Sequence, residues 1–126
     1  MKQIGRIFLS LARYGAMWAY TGLLCTVSLI VVMVTLSQNA MLWLASHIWA
    51  PGMLWLAGVR VEIDGGDEVD WSKPHIFVAN HQSSLDVMVG FVAIPVPLRF
   101  VAKKMFLYLP FFGIYMWASG MIFVDR

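Results

Sequence analysis

The residues best equipped for chemistry lie in Asn80-His81-Gln82-Ser83-Ser84-Leu85-Asp86, directly after the apolar run Ile76 to Ala79. A histidine and a carboxylate can form a general-base pair, provided that the fold lets them touch. In an unbroken helix of 3.6 residues per turn, positions five apart point about 140° away from each other. His81 must therefore stand in the turn before a helix, with Asp86 in its first turn. Ser83-x-x-Asp86 has the capping-box form that starts such a helix at about residue 84. If the two meet, Asp86 accepts the Nδ1 proton and holds the ring, which leaves Nε2 free to take a proton from a substrate. Base catalysis of this kind contributes ~10² to 10⁴ in rate. Ser83 and Ser84 share the same tight turn and have little freedom to align on a carbonyl, so the nucleophile is expected from the substrate, as a hydroxyl. The plainer alternative is that Asp86 only caps the helix and His81 is a polar turn residue.

Functional groups of open α/β sheets gather where strands give way to helices at their carboxyl ends, and the neighbouring segments supply that setting. Ile76 to Ala79 reads as a buried strand, and Asp86 to Ile94 as a short apolar helix ended by Pro95 and Pro97. Leu98 to Ala102 reads as a second strand. Met105 to Ser119 is helical at least in part, broken by Pro110 and Gly113, and Met121 to Val124 is a further strand. Strands alternating with helices imply an α/β layer with mainly parallel pairing. Upstream, Val59 to Asp64 alternates apolar and polar residues, and Gly65-Gly66 makes a turn. Asp67, Glu68 and Asp70 form a solvated loop with no histidine or cysteine spaced to complete a metal site.

The N-terminal half has a different texture. Of 126 residues, 60% are hydrophobic and 13% charged, and the mean hydropathy is +0.74. Residues 14–59 contain no Asp, Glu, Lys or Arg. Tyr14 to Leu36 is long enough as a helix to cross a hydrocarbon core of ~30 Å. After a polar break at Ser37-Gln38-Asn39, Ala40 to Val59 is apolar again, interrupted by His47 and Pro51-Gly52. Trp43, Trp49 and Trp55 suit the interface zone, and the segment either spans or dips in and returns. Lys2, Arg6, Arg13 and Arg60 flank the pair, so the positive-inside bias puts both ends on the cytoplasmic side. The expected organisation is a membrane-embedded two-helix hairpin at 1–59 followed by a catalytic portion at 60–126. The net charge of +2, with no basic run interleaved with aromatics, argues against nucleic acid as a partner. Cys25 lies alone inside an apolar segment and reads as a small buried hydrophobe. No residue cluster calls for a metal or organic cofactor.

Asn80 to Asp86 resembles the NHxxxxD block of the glycerolipid acyltransferases, and most of all that of the 1-acylglycerol-3-phosphate (lysophosphatidate) acyltransferases. Three further stretches agree in order: the paired apolar helices, Ala102-Lys103-Lys104 with Leu109-Pro110-Phe111-Phe112-Gly113, and the closing Gly120 to Arg126. The resemblance implies an α/β acyltransferase domain behind a membrane hairpin, with the catalytic part facing the cytoplasm, at the inner membrane if the source is bacterial. It implies transfer of an acyl group from acyl-CoA or acyl carrier protein to the free hydroxyl of lysophosphatidate, giving phosphatidate. His81 would be the base, Asp86 its orienting partner and Arg126 a phosphate ligand, with Lys103 and Lys104 as further phosphate contacts. A surface facing anionic lipid is the alternative for the two lysines. The family's later Pro-Glu-Gly-Thr-Arg block does not occur, so the chain is expected to be an N-terminal, truncated part, weakly active or inactive alone. Two other readings stay open: a related acyltransferase using glycerol 3-phosphate or a lyso-ornithine lipid, and a non-enzymatic membrane-hairpin interaction protein.

Overall fold

The computed structural model describes residues 2–125. Helix α1 runs from Lys2 to Thr35. It begins well before the apolar core of the segment because residues 3–13 contain only Gly5 as a weak breaker and no proline. The chain reverses at Leu36, whose positive φ of 53° marks a tight turn. Ser37 then caps the next helix, its hydroxyl accepting from the Ala40 N–H at 3.3 Å.

The second apolar segment is helical from Gln38 to Ala57. It consists of α2 (Gln38–Leu44), a π-turn (Ala45–Trp49) and α3 (Ala50–Ala57). The wide turn has a local cause. Pro51 brings no N–H and its ring would crowd the carbonyl four residues back, so the helix takes in an extra residue and Ala50 N–H bonds to the Ala45 carbonyl. Gly58 ends the segment at φ 73° as a left-handed cap. Tyr20 Oη donates to the Ile48 carbonyl at 2.6 Å and Trp49 Nε1 donates to Thr21 Oγ1 at 3.1 Å, tying this segment back along α1. Gly52 permits that approach, because a Cβ there would meet the Tyr20 ring. Both helical segments are long and apolar enough to cross a membrane, by length and composition. Most of α1 is uncovered, with Phe8, Trp18, Met33 and Val34 facing outward.

After a short 3-10 turn at Gly66–Glu68, the remaining elements are α4 (Leu85–Ala93), β1 (Val101–Lys103), a second 3-10 turn (Lys104–Tyr108), α5 (Phe112–Ala118) and β2 (Ile122–Val124). Strands β1 and β2 pair in parallel, with Val101 opposite Ile122 and Lys103 opposite Val124. The second 3-10 turn and α5 form the crossover that a parallel pair requires. Gly113 makes the turn into α5 possible, since a Cβ would collide with the Leu107 carbonyl.

One expected strand is not formed. Residues 75–79 take part in no ladder, and Ile76 and Val78 are 95% and 94% exposed instead of buried. A strand needs a neighbour for its N–H and C=O groups, and among the described residues the sheet has two strands, paired with each other. Residues 59–64 likewise form no ladder. Phe77 packs locally instead, stacked on Trp71 at 6.1 Å between ring centroids.

The core runs continuously from the hairpin into the C-terminal part. Cys25, Met41, Leu42 and Leu54 are buried in one cluster with Met88, Phe91, Tyr115 and Met121. Phe91 is its junction: it meets Trp49 of the π-turn edge-on at 6.0 Å and Phe100, just before β1, at 5.1 Å.

Candidate active site

The turn before α4 is organised by one carboxylate oxygen. Asp86 Oδ2 accepts the backbone N–H of Gln82 at 2.7 Å and of Ser83 at 2.8 Å. These two bonds are the reaching-back half of a capping box. The other half is rearranged: Ser83 Oγ accepts from the Leu85 N–H at 3.2 Å, while the Asp86 N–H goes to the Ser83 carbonyl at 3.1 Å. The helix therefore starts at Leu85. His81 is swung onto the same oxygen, with Nδ1 3.3 Å from Asp86 Oδ2. That contact is looser than the two amide bonds. The backbone fixes the carboxylate, and the carboxylate in turn positions the ring.

The charge of Asp86 follows from these partners. The Ser83 and Gln82 amides, and then His81, hold its carboxyl below the usual carboxylate range. An ionised Asp86 is the form that can accept a hydrogen bond from an Nδ1–H. The His81 side chain is 64% exposed, so the rest of the ring is open to a substrate. The arrangement can hold an imidazole in one tautomer and offer Nε2 to a hydroxyl.

The other expected site residues lie elsewhere or outside the described residues. Lys103 and Lys104 stand at the end of β1 and make no ion pair with Asp86. Lys104 Nζ lies 3.8 Å from Asp125 Oδ2, just past β2, in an exposed contact. Arg126 lies outside the described residues. His47 stays within its own helix, stacked on Trp43 at 4.7 Å with Nδ1 3.1 Å from the Trp43 carbonyl. One cation was missed in the sequence. Arg99 sits at the hairpin turn, with Nη2 donating to Asn39 Oδ1 at 3.4 Å across 60 positions of chain. Nothing local in the sequence announces that pairing; the polar break at 37–39 was its one signal.

A family model described as Acyltransferase matches residues 60–126, more than half of the chain and the whole of the HxxxxD region. The chain belongs to the acyltransferase family. Among its curated relatives is the human 1-acyl-sn-glycerol-3-phosphate acyltransferase alpha, 38% identical over 72 residues, which are 57% of this chain and 25% of that one. The 1-acyl-sn-glycerol-3-phosphate acyltransferase of Saccharomyces cerevisiae is 31% identical over 120 residues, 95% of this chain and 37% of that one. Its Escherichia coli namesake is 32% identical over 71 residues, 56% and 29% of the two chains. The chain thus spans from 25% to 37% of the length of these relatives. No solved structure matches it. Within this acyltransferase chain, the His81–Asp86 turn lies inside the matched region, as do Arg99, Lys103 and Lys104.

Proposed function

We propose that this acyltransferase chain carries the general-base unit of acyl transfer from a thioester, acyl-CoA or acyl carrier protein, to the hydroxyl of 1-acylglycerol 3-phosphate. The observation that carries this reading is the placement of His81 Nδ1 3.3 Å from an Asp86 oxygen that two backbone amides already fix. In the reaction, His81 Nε2 takes the proton of the acceptor hydroxyl as its oxygen attacks the thioester carbonyl. A C–O bond forms, the C–S bond breaks, and the imidazolium returns the proton to the leaving sulfur. Asp86 stays ionised throughout and positions the ring. Arg126, with Lys103 and Lys104, is assigned to the acceptor or donor phosphates, since an arginine fork matches phosphate geometry and charged hydrogen bonds are worth ~1.5 to 3 kcal/mol. The acceptor is a lipid. The two apolar helices accordingly anchor the chain in a bilayer, as a hairpin at 1–59 ahead of catalytic residues 60–126, with the site facing the cytoplasm.

The test is product formation. Labelled acyl-CoA and lysophosphatidate are offered to the chain in vesicles, and, in parallel, to a chimera carrying residues 60–126 in place of the matched segment of the Escherichia coli relative. Phosphatidate made by either, at a rate above that with glycerol 3-phosphate as acceptor, supports the reading. A folded chimera that makes none contradicts it. Preference for glycerol 3-phosphate would move the assignment to that acceptor.

A further inference from the structure

The C-terminal part of the chain covers one side of the hairpin as far as its turn. There Arg99 Nη2 donates to Asn39 Oδ1 at 3.4 Å, and Gly120 lies so close that a Cβ would meet Gln38 Oε1 at 2.7 Å. Further along α1, α5 packs against the helix, and its Tyr115 is buried in one cluster with Cys25. Midway along the second segment, Phe91 of α4 meets Trp49 at 6.0 Å.

A hairpin that crossed a bilayer could not be covered in this way. With both of its ends on the cytoplasmic side, its turn would lie beyond ~30 Å of hydrocarbon. Helix α4 would then stand at mid-depth and Arg99 at the far surface. The stretch Ile94 to Phe100 that joins them is not helical, and its Pro95, Pro97 and Arg99 are exposed. Irregular backbone of this kind does not occur against lipid, where its N–H and C=O groups have no partner. His47 points the same way. It is exposed midway along the second segment, and its Nε2 makes no hydrogen bond among the described residues. In a crossing segment that imidazole would face hydrocarbon at the bilayer centre, where ionisable side chains are expensive.

The uncovered side of the hairpin is apolar. Leu23, Val27, Ile30 and Val34 are all exposed and, at i, i+4, i+7 and i+11 within α1, form one stripe. Cys25 and Ser28, both buried, lie on the opposite side of the same helix. A helix with one face covered and a bare apolar stripe behind it suits a membrane interface, with the stripe sunk ~5 to 10 Å below the head groups.

We propose that the hairpin lies along a single leaflet, the one facing residues 60–125, and does not cross the bilayer. The stripe from Leu23 to Val34 rests in the acyl chains of that leaflet, and the turn stays at its head-group level beside Arg99. Helix α1 has 34 residues, about 51 Å at 1.5 Å each, against ~15 Å of hydrocarbon in one leaflet. Its axis therefore lies nearer the membrane plane than the normal. Arg6 and Arg13, exposed on the same helix, remain within reach of the phosphates. The inference rests on the proposed membrane anchoring by the hairpin. Its consequence for the reaction is that the lipid acceptor and the His81–Asp86 unit share one leaflet, so no step across the bilayer is needed.

The experiment uses the full, unaltered chain in oriented phosphatidylcholine–phosphatidylglycerol bilayers, with helix orientation read by oriented circular dichroism. Helix α1 and the second segment hold most of the helical residues, so their common axis dominates the spectrum. A mean axis more than about 60° from the bilayer normal is expected of an interfacial hairpin. Membrane-crossing helices tilt by roughly 0 to 40°, and a mean axis in that range overturns the proposal. A second measurement reads the side on which the turn lies. In a Cys25→Ala background expressed in Escherichia coli, Asn39→Cys and Glu68→Cys are each offered an impermeant maleimide. Both should label in inside-out membrane vesicles and neither in spheroplasts. Labelling of Asn39→Cys in spheroplasts, with Glu68→Cys protected there, would place the turn across the bilayer and overturn the proposal. Flotation with vesicles of the same lipids tests the anchoring separately. A chain that floats with crossing helices sinks only the single-leaflet placement, whereas a chain that does not float sinks the membrane reading with it.

Discussion

Removal of the Phe91 ring should loosen the whole C-terminal part from the hairpin. Phe91 is 4% exposed and touches three elements: its own helix α4, Trp49 of the π-turn at 6.0 Å and Phe100 at 5.1 Å. Phe91→Ala deletes a buried aromatic side chain, a change that costs roughly 3 to 5 kcal/mol in transfer and cavity terms. The cavity has little means of closing. Phe100 already lies against Gly90, 3.1 Å from where a Cβ would stand, and cannot slide inward along α4. Phe91→Leu keeps the site filled with hydrocarbon and loses two edge-on aromatic contacts of ~0.5 to 1.5 kcal/mol each, so roughly 1 to 3 kcal/mol. Thermal melts in detergent, followed by near-UV circular dichroism, should show Tm falling by roughly 10 to 20 °C for alanine and by less for leucine. A Phe91→Ala variant that melts within about 2 °C of wild type would refute this junction role, as would a leucine variant that is the worse of the two.

Gly113→Ala should destabilise by about 1 to 3 kcal/mol or more, because the new methyl meets the backbone carbonyls of Leu107 and Phe106, which cannot rotate aside; the same melts read it. Tyr115→Phe should be neutral or stabilising by up to about 1 kcal/mol, since the buried Tyr115 hydroxyl has no hydrogen-bond partner among the described residues and its removal leaves nothing unpaired; a drop in Tm would contradict this. The turn around Asp86 should loosen in acid. Its folded-state carboxyl titrates below its unfolded value of about 3.9, so its contribution is complete above that value and is lost as pH falls through the lowered one. Hydrogen exchange at the Gln82 and Ser83 amides, corrected for intrinsic rates, should accelerate across that window in wild type and not in Asp86→Asn.

Local signals carried much of this architecture, and they failed where partners come from afar. The capping form at Ser83-x-x-Asp86 placed α4 within a residue, because the carboxylate and the amides that it accepts lie within four positions of each other. Met121 to Val124 contains β2, and Leu98 to Ala102 overlaps β1 at Val101 and Ala102, with the pairing shifted toward Lys103; their apolar pattern and flanking breakers are local. The strand expected at Ile76 to Ala79 does not form for a related reason: a short apolar run has the composition of a strand whether or not a neighbour is there to pair with it. The π-turn was half legible, since Pro51 marked a disturbance without saying whether the helix would break or widen. The pairing of Arg99 with the hairpin turn has only the polar break at 37–39 to signal it, because the contact joins residues 60 apart.

The measurement that bears most directly on the central claim is acyl transfer to lysophosphatidate by His81→Ala, in whichever of the chain or its chimera is active, with folding checked by circular dichroism. Loss of a positioned base should lower the rate by ~10² to 10⁴ while the melt stays close to wild type, because the side chain is exposed and the turn is held by Asp86 and the backbone. An unchanged rate in a folded His81→Ala variant would contradict the account and leave the His81–Asp86 turn as a helix cap alone.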